Sequence, residues 1–185
     1  MTALRIPDAE LLPEYEAALA RGWSPTAVAP EATRLRHLDA IAADPAAFLA
    51  SLDEREAKGA PVILPDGSAV PRLPGFSRWI VADGFCGVVN MRWQPGTAAL
   101  PDHVLGHVGY GVVPWRRREG HATRALGLLL AEIAPLGLPF VELTTDPANE
   151  ASIAVIRAQG GVLVERFRKT ASHGGGAALR WRITV

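Results

Sequence analysis

The sequence predicts an α+β fold, a mostly antiparallel twisted sheet flanked by helices, on three observations. Two strand-like runs, SRWIVA from Ser77 and FCGVVNMRW from Phe85, are joined by Asp83-Gly84, a pair suited to a tight hairpin turn. Past Gly120 the apolar period changes, with Leu126, Leu129, Leu130 and Ile133 recurring at helical spacing. The chain then runs strand, helix, strand, strand to its end, without an internal repeat.

The elements follow in order. Leu11 to Leu19 and Leu38 to Leu52 carry apolar residues at mixed spacings of three and four, which predicts short amphipathic helices. Asp44-Pro45 reads as an N-cap and first helical position, dividing the second stretch in two. Gly59 to Gly75 holds four prolines and three glycines, the composition of an irregular connection or of a lid over a site. After the Ser77 hairpin, VLGHVGYGVV (Val104 to Val113) predicts a further strand ended by Pro114. The helix after Gly120 should stop near Pro135 and Gly137. Phe140 to Thr144 predicts a strand, Asp146-Pro147 a helix start, and Gly160-Gly161 its end. Val162 to Arg168 and Ala177 to Val185 predict the closing strands, separated by Ser172 to Gly176. At 185 residues one domain is the expectation, with residues 1–75 belonging to the same unit as a core at 76–185.

Composition narrows the function classes. Nineteen basic and nineteen acidic side chains leave a net charge of zero, so no global field draws nucleic acid or an anionic membrane, and any anion site must be local. The lone Cys86 has no disulfide partner and sits in an apolar stretch, which fits a reducing, cytoplasmic setting. The first ten residues lack the apolar region of a secretory signal. The longest apolar run, Ala125 to Ala131, is short against the roughly 20 residues of a membrane span, so a soluble protein is expected. His103 and His107, if on one strand, lie about 13 Å apart, too far to share a metal ion, and no metal is expected.

The segment Pro114-Trp-Arg-Arg-Arg-Glu-Gly-His-Ala-Thr123 joins a strand to a helix. Successive main-chain N–H groups at such a turn, the positive end of the helix dipole and a glycine that admits close approach make an anion cradle. A side chain larger than Ala122 would crowd a phosphate there, and Thr123 adds a hydroxyl donor. By charge alone, Arg116 to Arg118 would equally suit a solvated basic turn. Neither GxxxxGK[ST] nor a GxGxxG opening a nucleotide-binding unit occurs.

Arg117, Arg118, Glu119, Gly120, His121 and Ala122 resemble the phosphate-binding motif of the GCN5-related N-acetyltransferases: Gln or Arg, two residues, Gly, one residue, Gly or Ala. A second stretch, Asn149-Glu-Ala-Ser152-Ile-Ala-Val-Ile156-Arg-Ala-Gln-Gly160-Gly161, is similar to that family's later helix, where an Asn near the start contacts the pantetheine arm. Asn149 is also a natural helix cap. The resemblance runs from Trp79 to Val185, and the first seventy residues match only loosely.

The resemblance implies the acyl-CoA N-acyltransferase fold and direct transfer of an acetyl group from acetyl-CoA to a primary amine of a small molecule or protein N-terminus. The cofactor would lie along Val112, Val113, Arg117 to Thr123, Asn149 and Ser152. Such chemistry requires a base, an oxyanion donor and an acid for the leaving thiolate. His107 stands near the depth where the family often has a Glu, and its imidazole titrates near neutrality, which nominates it as the base. A structural, hydrogen-bonded histidine is the alternative. Strand alternation puts His107, Gly109 and Gly111 on one roomy face and Val108, Tyr110 and Val112 on the other. A main-chain N–H at Val112 or Val113 would hold the carbonyl oxygen.

The tyrosine that many relatives use as acid falls at Ile156 here, so Ser152, one turn earlier on the same helix face, is the nominated acid, with Tyr110 a lesser candidate. Loss of that tyrosine leaves open a non-catalytic acyl-CoA-binding or regulatory module. A nucleic-acid partner for Arg116 to Arg118 is disfavoured by the zero net charge and by the few candidate stacking aromatics nearby beyond Trp115. The acceptor amine and the choice between monomer and homodimer stay open.

Overall fold

The computed structural model describes residues 1–64 and 67–185. In chain order its elements are β1 (Ala3–Arg5), α1 (Leu12–Ala20), α2 (Pro30–Ala43), α3 (Pro45–Ser51), β2 (Asp53–Glu54), β3 (Val62–Ile63), β4 (Ala69–Val70), β5 (Gly75–Val81) and β6 (Phe85–Arg92). They continue as β7 (Val108–Val112), α4 (His121–Ile133), β8 (Phe140–Thr145), α5 (Glu150–Ala158), β9 (Val162–Arg168) and β10 (Ala177–Thr184). One sheet has the order β1-β5-β6-β7, with β2 pairing on β5; a second has the order β8-β10-β9. All their pairings are antiparallel, as the hairpin at Asp83-Gly84 foretells.

The two faces of the first sheet bury different partners because its strands are apolar on both. On one face Ile80, Val89, Met91 and Val108 meet Ala125, Leu126, Leu129 and Ile133 of α4 and, beyond them, Leu143, Ile156 and Trp181. On the other face α1, α2 and α3 cover Trp79, Phe85, Val88 and Val113. Tyr15 is central there, with its ring stacked on Trp79 at 5.2 Å and set edge-on to Phe85 at 5.5 Å. Aromatic pairs in these geometries add about 0.5–1.5 kcal/mol each beyond the area they bury. The N-terminal helices are thus packed on the strands that carry the site.

Besides α2 starting at Pro30 rather than at Leu38, the structure departs from the sequence expectation in four places. β1 and β2, of three and two residues, are too short for periodicity to register and are held by pairing with β5. The connection from Gly59 to Gly75 contains the small hairpin β3-β4, and its positions 65 and 66 lie outside the described residues. Asp146-Pro147 does not open α5: Asn149 N–H donates to Asp146 O to form a turn, and the helix starts at Glu150 behind Asn149 as N-cap.

The fourth departure shapes the site. Of the strand expected over Val104 to Val113, only Val108–Val112 is strand, with one main-chain bond to β6 beyond each end, at His107 O and Val113 N–H. The preceding residues run against β8 instead: Leu105 O accepts from Thr144 Oγ1 at 2.5 Å, and His107 N–H donates to Glu142 O at 2.8 Å. Gly106 permits the close approach, since a methyl group there would stand 2.9 Å from Glu142 O. Among the described residues no helix is long and apolar enough to cross a membrane.

Candidate active site

β7 and β8 belong to different sheets and meet at His107. The main-chain N–H of His107 and the imidazole Nδ1 both face Glu142, the latter accepting from Glu142 N–H at 3.0 Å. A ring nitrogen therefore takes the place of a carbonyl in the would-be ladder, and the strands diverge beyond it. The imidazole is fully buried, and its Nε2 has no partner among the described residues. Burial drives its pKa down from 6.5 to about 4, the Glu142 carboxylate opposing and the Arg92 charge assisting. His107 is thus neutral at pH 7 and does not line the cleft, a placement that does not suit a base that must touch the substrate. Its place beside the strand was legible in the sequence, but not the turn of the side chain toward β8.

The split opens from His107 toward Val112. Register sets Gly109 opposite Asn90, Gly111 opposite Val88 and Gly87 opposite Val112. Val113 N–H donates to Cys86 O and Arg92 N–H to His107 O, so the odd-numbered residues of this strand bond to β6. By ladder alternation the N–H groups of Tyr110 and Val112 point into the split. Of the two expected oxyanion donors, Val113 is already engaged and Val112 is available. A methyl group at Gly109 would meet nothing within 4 Å, so the glycine face is open as expected.

Tyr110 and Ser152 come together across the split. The phenol lies 3.1 Å from Ser152 Oγ and donates to Ser152 O at 3.3 Å, and both residues line the cleft. Burial raises the Tyr110 pKa, while the bond with Ser152 opposes the rise. Ile156, where the resemblance puts a tyrosine, is 1% exposed and packs in the core. A phenol stands instead on the facing strand, that of Tyr110. Asn149 caps α5 by accepting from Ser152 N–H at 3.1 Å and also lines the cleft.

At the other end of β7 the turn into α4 has the form of a main-chain nest. Arg118 and Gly120 are left-handed, with φ of 68° and 80°. The N–H groups of Arg118 to Thr123 donate to no carbonyl among the described residues. A methyl group at Gly120 would meet no atom within 4 Å, leaving room above these amides for an anion. Side chains brace the turn: Arg117 Nε donates to Val112 O, and Arg116 donates to Ala82 O and Asp83 O. Buried His121 joins Thr2 Oγ1 at 2.9 Å to Glu119 at 3.0 Å, so its contribution to the turn is main-chain.

The cleft past Tyr110 continues into a cavity of about 700 Å³ under α3 and the β3-β4 hairpin, with Asn90 and Arg92 bordering both. Among the described residues no group of three or more His, Cys, Asp or Glu side chains is placed to hold a metal.

A family model for the acetyltransferase (GNAT) domain matches residues 32–162. The chain belongs to this family. It is an acyltransferase with the GNAT fold. The match begins within α2, so GNAT sequence extends into the N-terminal helices that resembled the family only loosely. Among solved structures, RimL, a ribosomal L7/L12 alpha-N-protein acetyltransferase, aligns over 100% of this chain and 90% of its own, with 18% identity and a TM-score of 0.64. Mycobacterium smegmatis RimJ, in complex with CoA-disulfide, aligns over 100% and 82% at 18% identity and a TM-score of 0.69. The microcin C7 self-immunity acetyltransferase MccE, in complex with acetyl-CoA and AMP, aligns over 100% and 92% at 12% identity and a TM-score of 0.61. No curated protein matches by sequence. At these identities the structures show a shared fold.

Proposed function

We propose that this GNAT protein transfers the acetyl group of acetyl-CoA to the primary amine of a small molecule or of a protein N-terminus, with Tyr110 and Ser152 handling the proton of the departing thiol. The observation that carries the reading is a main-chain nest at Arg118 to Thr123 and a paired hydroxyl site at Tyr110 and Ser152 on one continuous split. MccE in complex with acetyl-CoA and RimJ in complex with CoA-disulfide share this fold, as does the alpha-N-protein acetyltransferase RimL, and they support the donor.

The donor's thioester supplies an electrophilic carbonyl carbon: the amine nitrogen bonds to it, the C–S bond breaks, the amine loses a proton and the sulfur gains one. In this reading the nest receives the diphosphate, Asn149 the pantetheine arm, and Val112 N–H the negative charge that grows on the carbonyl oxygen. The Ser152 hydroxyl gives its proton to sulfur as it takes one from the Tyr110 phenol at 3.1 Å, and the phenol is reprotonated from water in the open cleft. His107 acts through position, by holding the closed end of the split, and the amine proton leaves to water in the open cleft. A hydroxyl pair at the split supports transfer over the non-catalytic alternative, which rests on the missing acid.

The test is thiol release from acetyl-CoA across a panel of amines and free peptide N-termini. Release with one acceptor, coupled one-to-one to its acetylation, supports the reading; saturable acetyl-CoA binding with no release across the panel would return the chain to a binding module.

A further inference from the structure

The acceptor side of the cleft has a built-in charge pattern. Pairing aligns Glu54 of β2 with Gly75 of β5, Gly75 with Arg92 of β6, and Ser77 with Asn90. Residues opposite one another in antiparallel strands share a face, and positions two apart return to it. Glu54, Ser77, Asn90 and Arg92 therefore stand on one face, with Gly75 placing no side chain between the carboxylate and the guanidinium. All of them line the 700 Å³ cavity, and Asn90 and Arg92 also border the split beside Gly109 and Tyr110. At about 4.8 Å per strand, Glu54 and Arg92 are roughly 10 Å apart along the row.

The other charged groups on these walls are engaged. Arg72 Nε donates to Ala60 O, Lys169 pairs with Asp146 at 2.7 Å, and Glu54 accepts from Gly59 N–H at 3.3 Å. The Arg92 guanidinium, on a residue exposed at the border of the two cavities, has no hydrogen bond or ion pair among the described residues. Asn90, next to it on the same face, accepts from Ser77 Oγ at 2.7 Å, which leaves its amide N–H groups pointing elsewhere. A guanidinium with five donors and no partner in a walled cleft matches a carboxylate in charge and geometry.

We propose that Arg92 is a specificity residue for an acceptor that carries a carboxylate close to the amine to be acetylated. The inference rests on the acceptor reading above. The carboxylate can belong to a free amino acid or to an acidic first residue of a peptide. Arg92 holds it at the mouth of the split, which brings the amine beside Gly109 and aims it toward Tyr110 and Ser152. Glu54 repels a second carboxylate farther along the row.

The test uses the full chain saturated with CoA and reads binding by calorimetry, so that it does not depend on turnover. One arm compares free aspartate with its fully amidated form; the other compares tetrapeptides beginning with Asp or Asn, each with a free α-amine. The expected result is a preference of tenfold or more for the carboxylate member in one arm, which identifies the source. That preference should vanish in Arg92→Gln, return largely in Arg92→Lys, and turn toward a Lys-initiated peptide in Arg92→Glu. Equal binding of both members in both arms, or an unchanged preference in Arg92→Gln, overturns the proposal. A retained Arg92-dependent preference without acetylation of any amine would instead discard the transfer reading and keep the carboxylate site.

Discussion

Acidification should weaken this protein through His107, and the size of the effect follows from its surroundings. The imidazole is fully buried, its Nδ1 accepts from Glu142 N–H, and its pKa falls from 6.5 to about 4. A histidine whose folded pKa is depressed binds a proton more readily in the unfolded chain. The stability tied to its neutral form is therefore complete above pH 6.5 and is lost as pH falls toward 4. At pH 5 the unfolded imidazole is almost fully protonated and the folded one almost neutral, a penalty of about 2 kcal/mol by linkage. His37, beneath α1 and bonded to Tyr15, is also shifted down to about 4 by burial and by the Arg36 charge, and it adds a similar penalty. The perturbation is His107→Gln, compared with the wild type in urea unfolding at pH 7 and pH 5. The variant is expected to start less stable, because Glu142 N–H loses its ring acceptor, yet to lose about 2 kcal/mol less between the two pH values. Identical pH dependence in the two proteins would mean that His107 protonates without cost in the folded state, and the buried-wedge account would fail.

Three further outcomes follow from the geometry. Ser152→Ala and Tyr110→Phe should each lower kcat about tenfold with acetyl-CoA affinity little changed, and together by about a hundredfold, within the range of general acid catalysis; unaltered turnover in the double variant removes the pair from the mechanism. The kcat profile of His107→Gln against pH should keep the shape of the wild-type profile, since a buried ring that never meets substrate cannot set either limb; a lost limb would restore it as the base. Gly87→Ala should destabilise by about 2–3 kcal/mol as an overpacked site, because its methyl would stand 2.1 Å from Gly111 O at a φ of 155°; a urea midpoint equal to wild type would mean that β6 and β7 are not so closely paired.

Most of the fold was legible because long, strongly patterned segments made it so. The Asp83-Gly84 hairpin, the α4 stripe and the Asp44 cap, whose carboxylate accepts from Ala47 N–H at 2.9 Å, follow from local chemistry. β1 and β2 were silent because they owe their conformation to β5 rather than to any pattern of their own. The turn before α4 could be read as a main-chain nest because its glycine and small residues answer a local demand of the backbone.

The side chains proposed for catalysis were harder. Alternation alone cannot tell that the chain before Val108 turns to β8, a swerve that buries His107, nor which parity of β7 bonds to β6 and so engages Val113 N–H while leaving Val112 N–H facing the split. Tyr110 was visible as a residue but not as a partner of Ser152, since they lie on separate elements 42 positions apart. Arg92 carried no local signal: its meaning comes from a glycine on the neighbouring strand and a carboxylate on the strand beyond.

The central claim is that the turn from Arg117 to Thr123 and the adjoining split take acetyl-CoA. Calorimetric titration of the purified protein with acetyl-CoA, beside Gly120→Glu, addresses it directly, because a glutamate there projects a carboxylate into the space above the free amides. The account predicts binding in the micromolar range that the variant abolishes while its urea midpoint shows it folded. Absence of binding in the wild type, or equal binding in a folded Gly120→Glu, would contradict it.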